Sequence, residues 1–385
     1  MNVLRVRHLE NALSHFEKSF TLAQAPHTSI DSHLRSYFRA HKTKLTAEDK
    51  DWLSEKFKDM IRWRGLIQNF SKESSTASDI LRTYFGNGTW RHYSNSKTLP
   101  EHTRTSMPEG LFTRLCQSYG KEKSIEIGQI WNESSPTFVR VNPLIDDRER
   151  VLKFLASKGL SVEKTSTSDF GIRVVRNETF ASLPELKEHV FDIQDESCQI
   201  IGQQVKVSPG DKVLDFCSGS GGKSLVFAPS LKGKGHLFLH DVNERYLTQA
   251  RNKMRNSRIK NFSILAPGSP QLDLLKRKMD WIIVDVPSTG SGQFRRYPER
   301  KWMYSDAYLD RIVELQRSIF SDSLKYLKKR GKIVYSTSSV LPEENLEQVK
   351  YFCDKHKLYL VHEPVYSLPQ SRGMDGFFSA VLERH

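Results

Sequence analysis

Short apolar runs alternating with helical stretches through the C-terminal half predict an α/β protein on a doubly wound, mostly parallel seven-stranded sheet. Two further observations complete that prediction. Residues 9–70 carry apolar side chains at three- to four-residue spacing, which predicts an N-terminal helical domain. Residues 137–204 combine an alternating run with an amphipathic one, which predicts a small α/β module ahead of the main domain.

The elements follow in chain order. Within 1–70, Leu34-Arg35-Ser36-Tyr37-Phe38 and the run from Trp52-Leu53 to Met60-Ile61 have helical periodicity. Thr46-Ala47-Glu48-Asp49 supplies a helix start with acidic residues in its first turn. The stretch 71–107 is rich in Ser, Thr, Asn and His and poor in aliphatic residues, so 71–136 reads as a loose polar connector with a helical segment. Thr137-Phe138-Val139-Arg140-Val141-Asn142-Pro143 alternates like a strand, 148–159 is amphipathic, and 171–175 is strand-like. From 205 to 385, strands are expected at 212–216, 236–240, 262–265, 281–285, 332–335, 358–361 and 377–382. Ligands of such sheets bind beyond the carboxyl ends of the strands, and the motifs of this chain lie there.

Composition narrows the function classes. At 385 residues the chain can hold two or three domains, and 37% hydrophobic residues is too many for a disordered one. No apolar stretch approaches the length of a membrane span. Lys and Arg outnumber Asp and Glu by 59 to 45, an excess of +14 that favours a polyanionic partner, nucleic acid first. Cys116, Cys198, Cys217 and Cys353 lack the close spacing of a zinc site or disulfide framework, so a reducing compartment and no metal are expected. The first twenty residues carry Arg5 and Arg7 beside Glu10 and Glu17 without a long apolar region. They read as an ordinary first helix, with organellar targeting as the lesser alternative.

Val213-Leu214-Asp215-Phe216-Cys217-Ser218-Gly219-Ser220-Gly221-Gly222-Lys223 runs from a strand through a glycine-rich turn toward a helix. Glycines let a ligand approach the backbone, and a helix start offers free N–H groups. A dinucleotide enzyme is compatible with that turn alone. The next strand ends in Asp241, where a carboxylate accepts both ribose hydroxyls; a helix cap before Asn243-Glu244-Arg245 is the plainer reading, and the ribose role is preferred.

The later motifs separate these possibilities. Phe294-Arg295-Arg296-Tyr297-Pro298-Glu299-Arg300-Lys301-Trp302, Leu341-Pro342-Glu343-Glu344-Asn345 and Arg372-Gly373-Met374-Asp375-Gly376-Phe377-Phe378 have no counterpart in dinucleotide enzymes. Together with Asp285-Val286-Pro287 and Gln194-Asp195-Glu196-Ser197, they resemble, in order and spacing, the RsmB/Sun (NSUN-type) family of RNA cytosine-C5 methyltransferases over about 138–384. The helical segment before them is similar to the NusB-like RNA-binding extension of the bacterial 16S rRNA enzyme.

The resemblance implies a class I methyltransferase, Rossmann-like domain binding S-adenosyl-L-methionine (SAM). Cys217, Ser218, Gly219, Ser220, Gly221, Gly222, Lys223 and Asp285 would line the cofactor, with Asp241 on its ribose. Lys223 and Asp285 match positions that contact the target cytosine near the methyl donor; their plainer readings are a solvated helix-start lysine and a strand-end cap. Arg295, Arg296, Arg300 and Lys301 would grip RNA phosphates, while Trp302 stacks or, in the preferred reading, packs in a core. Gln194 to Ser197 would shape the pocket wall. The implied partner is ribosomal RNA or a ribosomal subunit, met by a cytoplasmic monomer.

Three departures stand out. The family uses two cysteines, and position by position its nucleophile falls on Ser338 and its product-release thiol on Ser288. Cytosine C5 is a poor nucleophile until a thiolate adds to C6, and a serine hydroxyl is far less ionised unless a base activates it. Cys217 lies in the cofactor turn and reads as a small buried residue, not a replacement. Leu265-Ala266-Pro267-Gly268-Ser269-Pro270 lacks the acidic residue that usually faces adenine. One hydrogen bond lost there costs about 0.5 to 1.5 kcal/mol. A catalytically silent RNA-binding assembly factor is therefore the alternative to an active enzyme.

Overall fold

The computed structural model describes residues 2–22, 29–71, 76–86, 88–175 and 183–384. They fall into two compact units, Met1–Ser134 with Gln293–Leu309, and Ser135–Gly292 with Asp310–His385.

The first unit is helical. Helices Val3–Leu22, Ile30–Ala40, Ala47–Arg62 and Arg64–Asn69 bury one face each, and Leu9, Phe16, Leu34, Leu53, Phe57 and Leu66 share a core in which the Phe16 and Phe57 rings meet edge to face at 5.4 Å. Thr46 caps the third helix as expected: its side chain accepts from the Asp49 amide while the Asp49 carboxylate accepts from the Thr46 amide.

The loose connector expected over 71–136 is corrected; residues 72–75 and 87 of it lie outside the described residues. Helices Ala77–Phe85, Glu109–Tyr119 and Lys121–Trp131 occupy this stretch, and Ile80, Leu81, Tyr84 and Trp90 join the core of the first helices. The polar residues that resembled a linker include a second capping box, with Thr76 and Asp79 exchanging bonds as Thr46 and Asp49 do. The continuous domain expected over 205–385 is corrected as well, because 293–309 belongs with the helical unit. Phe294 packs on Trp131 at 4.8 Å, and Trp302 Nε1 donates to Ile61 O at 2.7 Å.

In the second unit, β1 (Thr137–Val141), β2 (Val162–Lys164), β3 (Gly171–Val174) and β4 (Phe191–Ile193) form an antiparallel sheet in the order β2-β3-β1-β4. The buried Arg140 guanidinium meets Asp192 of the neighbouring strand at 2.6 Å, and Asn142 Nδ2 donates to Ser257 O at 3.3 Å, which ties this sheet to the end of helix Glu244–Asn256 beside the larger sheet. The larger sheet comprises β5 (Lys212–Asp215), β6 (His236–His240), β7 (Phe262–Leu265), β8 (Met279–Asp285), β9 (Leu327–Thr337), β10 (Leu358–Leu360), β11 (Val365–Ser367) and β12 (Phe377–Arg384). Its order is β10-β12-β9-β8-β5-β6-β7, with β11 added beside β12; β5 to β9 are mutually parallel, and β12 returns antiparallel to β9.

All seven runs read as strands form strands. Their continuous apolar character follows from burial on both faces: Val213, Trp281, Ile283 and Val334 enter one core, while Leu214, Ile282, Val284, Ile333 and Tyr335 enter the other. Among the described residues no helix is long and apolar enough to cross a membrane.

Candidate active site at the carboxyl edge of the large sheet

Four loops leave the carboxyl ends of β5, β6, β8 and β9, and each carries residues singled out by sequence. The turn after β5 is shaped by glycines: Gly219 and Gly221 have φ of +50° and +78°, and a Cβ on Gly221 would lie 2.7 Å from Met254 Cε. Ser218 N donates to His240 O at 2.9 Å, fastening the turn to the end of β6. Asp241, directly after β6, uses Oδ2 to accept from Gly219 N at 2.9 Å and Oδ1 to accept from Asn243 N at 2.8 Å. The cap of helix Glu244–Asn256 is Asn243, whose side chain accepts from Arg245 N, so Asp241 is not the cap. It keeps further lone pairs on both oxygens for a diol.

Lys223 closes the turn and meets Asp285 at the end of β8, Nζ to Oδ2, at 2.6 Å. Burial disfavours the ammonium, but the Asp285 carboxylate outweighs it and holds Lys223 above its usual value. The other oxygen, Asp285 Oδ1, accepts from Ser336 Oγ at 2.9 Å, because the β8–β9 register sets Asp285 against Ser336. No sequence signal marks Ser336; strand adjacency alone creates this contact.

Ser288 and Ser338 lie on the loops that follow those two strands, both half-buried. Gly292 N donates to Ser338 O at 2.9 Å, so the loops touch through backbone. Ser288 Oγ accepts from Gly290 N at 3.3 Å, and Ser338 Oγ has no hydrogen-bond partner among the described residues. Burial pushes the Cys198 and Cys217 thiols up, so neither offers a ready thiolate.

A residue that sequence reasoning left without a role holds these loops. Glu344 is fully buried, and Thr289 N donates to its Oε1 at 2.8 Å, Gln316 Nε2 to Oε1 at 3.0 Å, and Thr289 Oγ1 to Oε2 at 2.5 Å. Ser339 Oγ also donates to Oε2. The single proton of Ser339 being used there, Ser291 must donate to Ser339 across their 2.9 Å contact, while Val340 N donates to Ser291 Oγ at 2.9 Å. Every proton in the chain thus points toward the carboxylate. Burial raises the Glu344 pKa, and its hydroxyl, amide and backbone donors pull against that rise.

The phosphate grip expected of Lys301 and Arg295 is corrected. Lys301 is buried, its Nζ donating to Arg62 O at 2.9 Å and Asn132 Oδ1 at 2.8 Å, and burial with the Arg62 charge holds its pKa well below the usual lysine value. Arg295 is also buried, and its carbonyl accepts two bonds from the Arg62 guanidinium, at 3.0 and 2.9 Å. Only Arg296 and Arg300 of the run are half-exposed, with Arg300 stacked 4.6 Å from the Tyr297 ring centroid. Basic residues beside aromatic ones build a core here as readily as a surface.

SAM fits the residues of the second unit. The turn has room only for glycine at Gly221, the Gln194 side chain comes within 3.2 Å of a Cβ on the neighbouring Gly222, and Gln194 Oε1 is buried without a partner among the described residues. The sheet and its carboxyl-edge loops define a Rossmann-like methyltransferase. The 16S rRNA methyltransferase RsmB/F family matches residues 203–383, and the ferredoxin-like domain of RsmF/B-like methyltransferases matches 107–179. Residues 203–383 thus carry an RsmB/F-type methyltransferase domain, which removes the dinucleotide reading of the glycine turn.

The ribosomal RNA small subunit methyltransferase B of Proteus mirabilis is 28% identical over 328 residues, 83% of this chain and 73% of that protein. Further curated relatives of the same name are matched over 66% of their length, just under two thirds. The crystal structure of PH0851 superposes with a TM-score of 0.80 at 19% identity, covering 100% of this chain and 99% of that one. NSun6 from Pyrococcus horikoshii, solved with SFG, gives 0.65 at 17% identity over 72% and 98%. These two structures share the fold.

Two outcomes follow from the buried carboxyls. Glu344→Ala leaves four buried donors without their acceptor, so urea denaturation should show a loss of roughly 2 to 4 kcal/mol, with faster hydrogen exchange at the Thr289 amide; Glu344→Gln, which keeps the Oε1 side, should lose less. Asp215, buried at the end of β5 and bonded by Ser224 Oγ at 2.7 Å, has its carboxyl pushed up to about 7 by burial, with the Asp285 and Asp241 charges adding to the rise and the Ser224 bond opposing it. The folded state then holds a proton that the unfolded chain, titrating near 3.9, has lost, so this group costs stability as pH rises from about 4 to about 7. Asp215→Asn should therefore gain stability relative to wild type on going from pH about 5 to about 8, by on the order of 2 to 4 kcal/mol, measured by denaturant unfolding at both.

Proposed function

We propose that this chain is a SAM-binding, RNA-binding methyltransferase directed at cytosine C5 of ribosomal RNA, working as a cytoplasmic monomer. The observation that carries this reading is the Lys223–Asp285 pair, set beside a turn that admits only glycine and across from the Asp241 carboxylate. The Gly219 to Gly222 backbone and Gln194 would receive the cofactor, with its ribose diol on Asp241. Bound there, SAM supplies an electrophilic methyl group. Lys223 and Asp285 would orient the target base at that edge, the ammonium and the carboxylate answering an acceptor and a donor on its pairing side.

What Ser338 can contribute decides turnover. Addition to C6 needs an ionised nucleophile. The Ser338 hydroxyl touches no base, and the nearby Asp285 carboxylate already serves Lys223 and Ser336. In an active enzyme Asp285, whose oxygens keep further lone pairs beside Lys223 and Ser336, would take the Ser338 proton as the oxygen bonds to C6 and the C5–C6 π pair moves onto C5. The same observation favours a second reading, in which the protein binds SAM and ribosomal RNA as an assembly factor without turnover.

Calorimetry with S-adenosylhomocysteine should detect binding, and Asp241→Ala should abolish it; no binding to wild type would sink the pocket assignment. With a 16S rRNA transcript and labelled SAM, Ser338→Cys should raise cytosine C5 methylation at least about tenfold over wild type. The same variant should accumulate a covalent RNA adduct on denaturing gels, and adding Ser288→Cys should release it. A wild type as active as Ser338→Cys would overturn the need for a thiol. A silent double cysteine variant would leave the assembly-factor reading in place.

A further inference from the structure

Away from the site, positive charge concentrates where the large sheet ends. Between 245 and 278 the chain has nine Lys and Arg and a single acidic residue, Asp273, which supplies more than half of its formal excess of +14. Lys276 pairs with that Asp273, and Lys253 turns inward toward Ser220. Arg251, Arg255, Arg258 and Lys260 remain exposed. No described residue forms an ion pair with any of the four; Arg258 touches only Leu144 O, at 3.4 Å.

Arg251 and Arg255 stand four apart on helix Glu244–Asn256, a like-charge spacing that works against the helix. The helix dipole accounts for Arg255, in the last turn, but not for Arg251, nor for Arg258 and Lys260 beyond the end. Arg251, Arg255 and Lys260 rim a groove of about 410 Å³ whose floor is Ile259, Phe262 and Ile264. Phe262 and Ile264 belong to β7, the last strand of the sheet, paired only with β6. Leu237 N donates to Asn261 O, so in the parallel ladder the amide and carbonyl groups of Phe262 and Ile264 face away from β6, into the groove side. The surface thus offers three cations without ion-pair partners among the described residues, together with outward backbone N–H groups, around one groove.

We propose that this groove is a second RNA-binding surface, holding the sugar-phosphate backbone of the RNA at a distance from the target nucleotide. It deepens the RNA-binding reading above and rests on it. A phosphate chain satisfies the cations and the strand-edge amides together without reading sequence. The residues lie at the edge of the sheet remote from β8 and β9, so they act on affinity and not on the chemical step.

The test is filter binding of the full chain to a 16S rRNA transcript across a salt series. The variant is Arg251→Gln, Arg255→Gln, Lys260→Gln. A control removes equal charge from the far side of the sheet, with Lys329→Gln, Lys350→Gln and Lys357→Gln. The groove variant should bind about tenfold more weakly near 0.1 M salt, and its slope of log affinity against log salt should shrink by about two to three. The control should change both much less, and both proteins should bind S-adenosylhomocysteine as wild type does. A groove variant with wild-type affinity and slope overturns the inference while the RNA reading stands. If that variant instead self-associates, the cations protect an exposed strand edge from pairing with another copy. Equal losses in groove and control variants would reduce the effect to net charge and also overturn it. Competition by polyglutamate as effective as by RNA would assign the groove to an acidic protein segment. A wild type that binds no RNA overturns this inference and the RNA reading together, and leaves the cofactor pocket to be judged by calorimetry alone.

Discussion

The parallel pairing of β8 with β9 governs the candidate site, because its register sets Asp285 against Ser336 and starts the two serine-bearing loops side by side. Asp285 shares its carboxylate between Ser336 on the neighbouring strand and Lys223 from the turn after β5. A shift of one residue in that ladder would turn Asp285 toward the opposite face of the sheet and dissolve the arrangement. The strands that hold the register are apolar on both faces, so the precision of the polar edge derives from the two cores beneath it.

Above the ladder, order passes to buried polar groups. Glu344 accepts two bonds from Thr289 on one serine loop and one from Ser339 on the other, and the Gln316 amide that also reaches it donates to Pro287 O at 3.0 Å. A carboxylate taken from water costs heavily unless its lone pairs are filled, and here they are filled by groups that must not move. Lys301 and Arg62 have the same logic in the helical unit, where basic side chains are used as buried hydrogen-bond donors to carbonyl oxygens and not as surface charge.

This division of the cations follows packing and not the presence of a motif. The run from Arg295 to Lys301 is the densest basic motif near an aromatic cluster, yet its two ends are inside. Exposed cations lie on helix Glu244–Asn256 and beyond, in a stretch without any motif, and also at Lys329, Lys350 and Lys357. Charge that a fold needs is paired or buried, and charge kept for a partner is left bare.

The sequence by itself determined the seven strands of the large sheet, their placement on a Rossmann-like fold, the glycine turn and Asp241. Each of these rests on local signals: two-faced apolar runs, glycines at positive φ, and a carboxylate at a strand end. It also determined that Ser338 and Ser288 stand where thiols are expected. Tertiary structure alone decided that Asp285 is shared with Ser336, that Glu344 ties the serine loops, that residues 77–131 are packed helices, and that Lys301 is buried. These depend on which elements lie next to each other. A lysine, a glutamate or a Thr-rich stretch carries no mark of its neighbours, and the environment that sets its charge and partners exists only after packing.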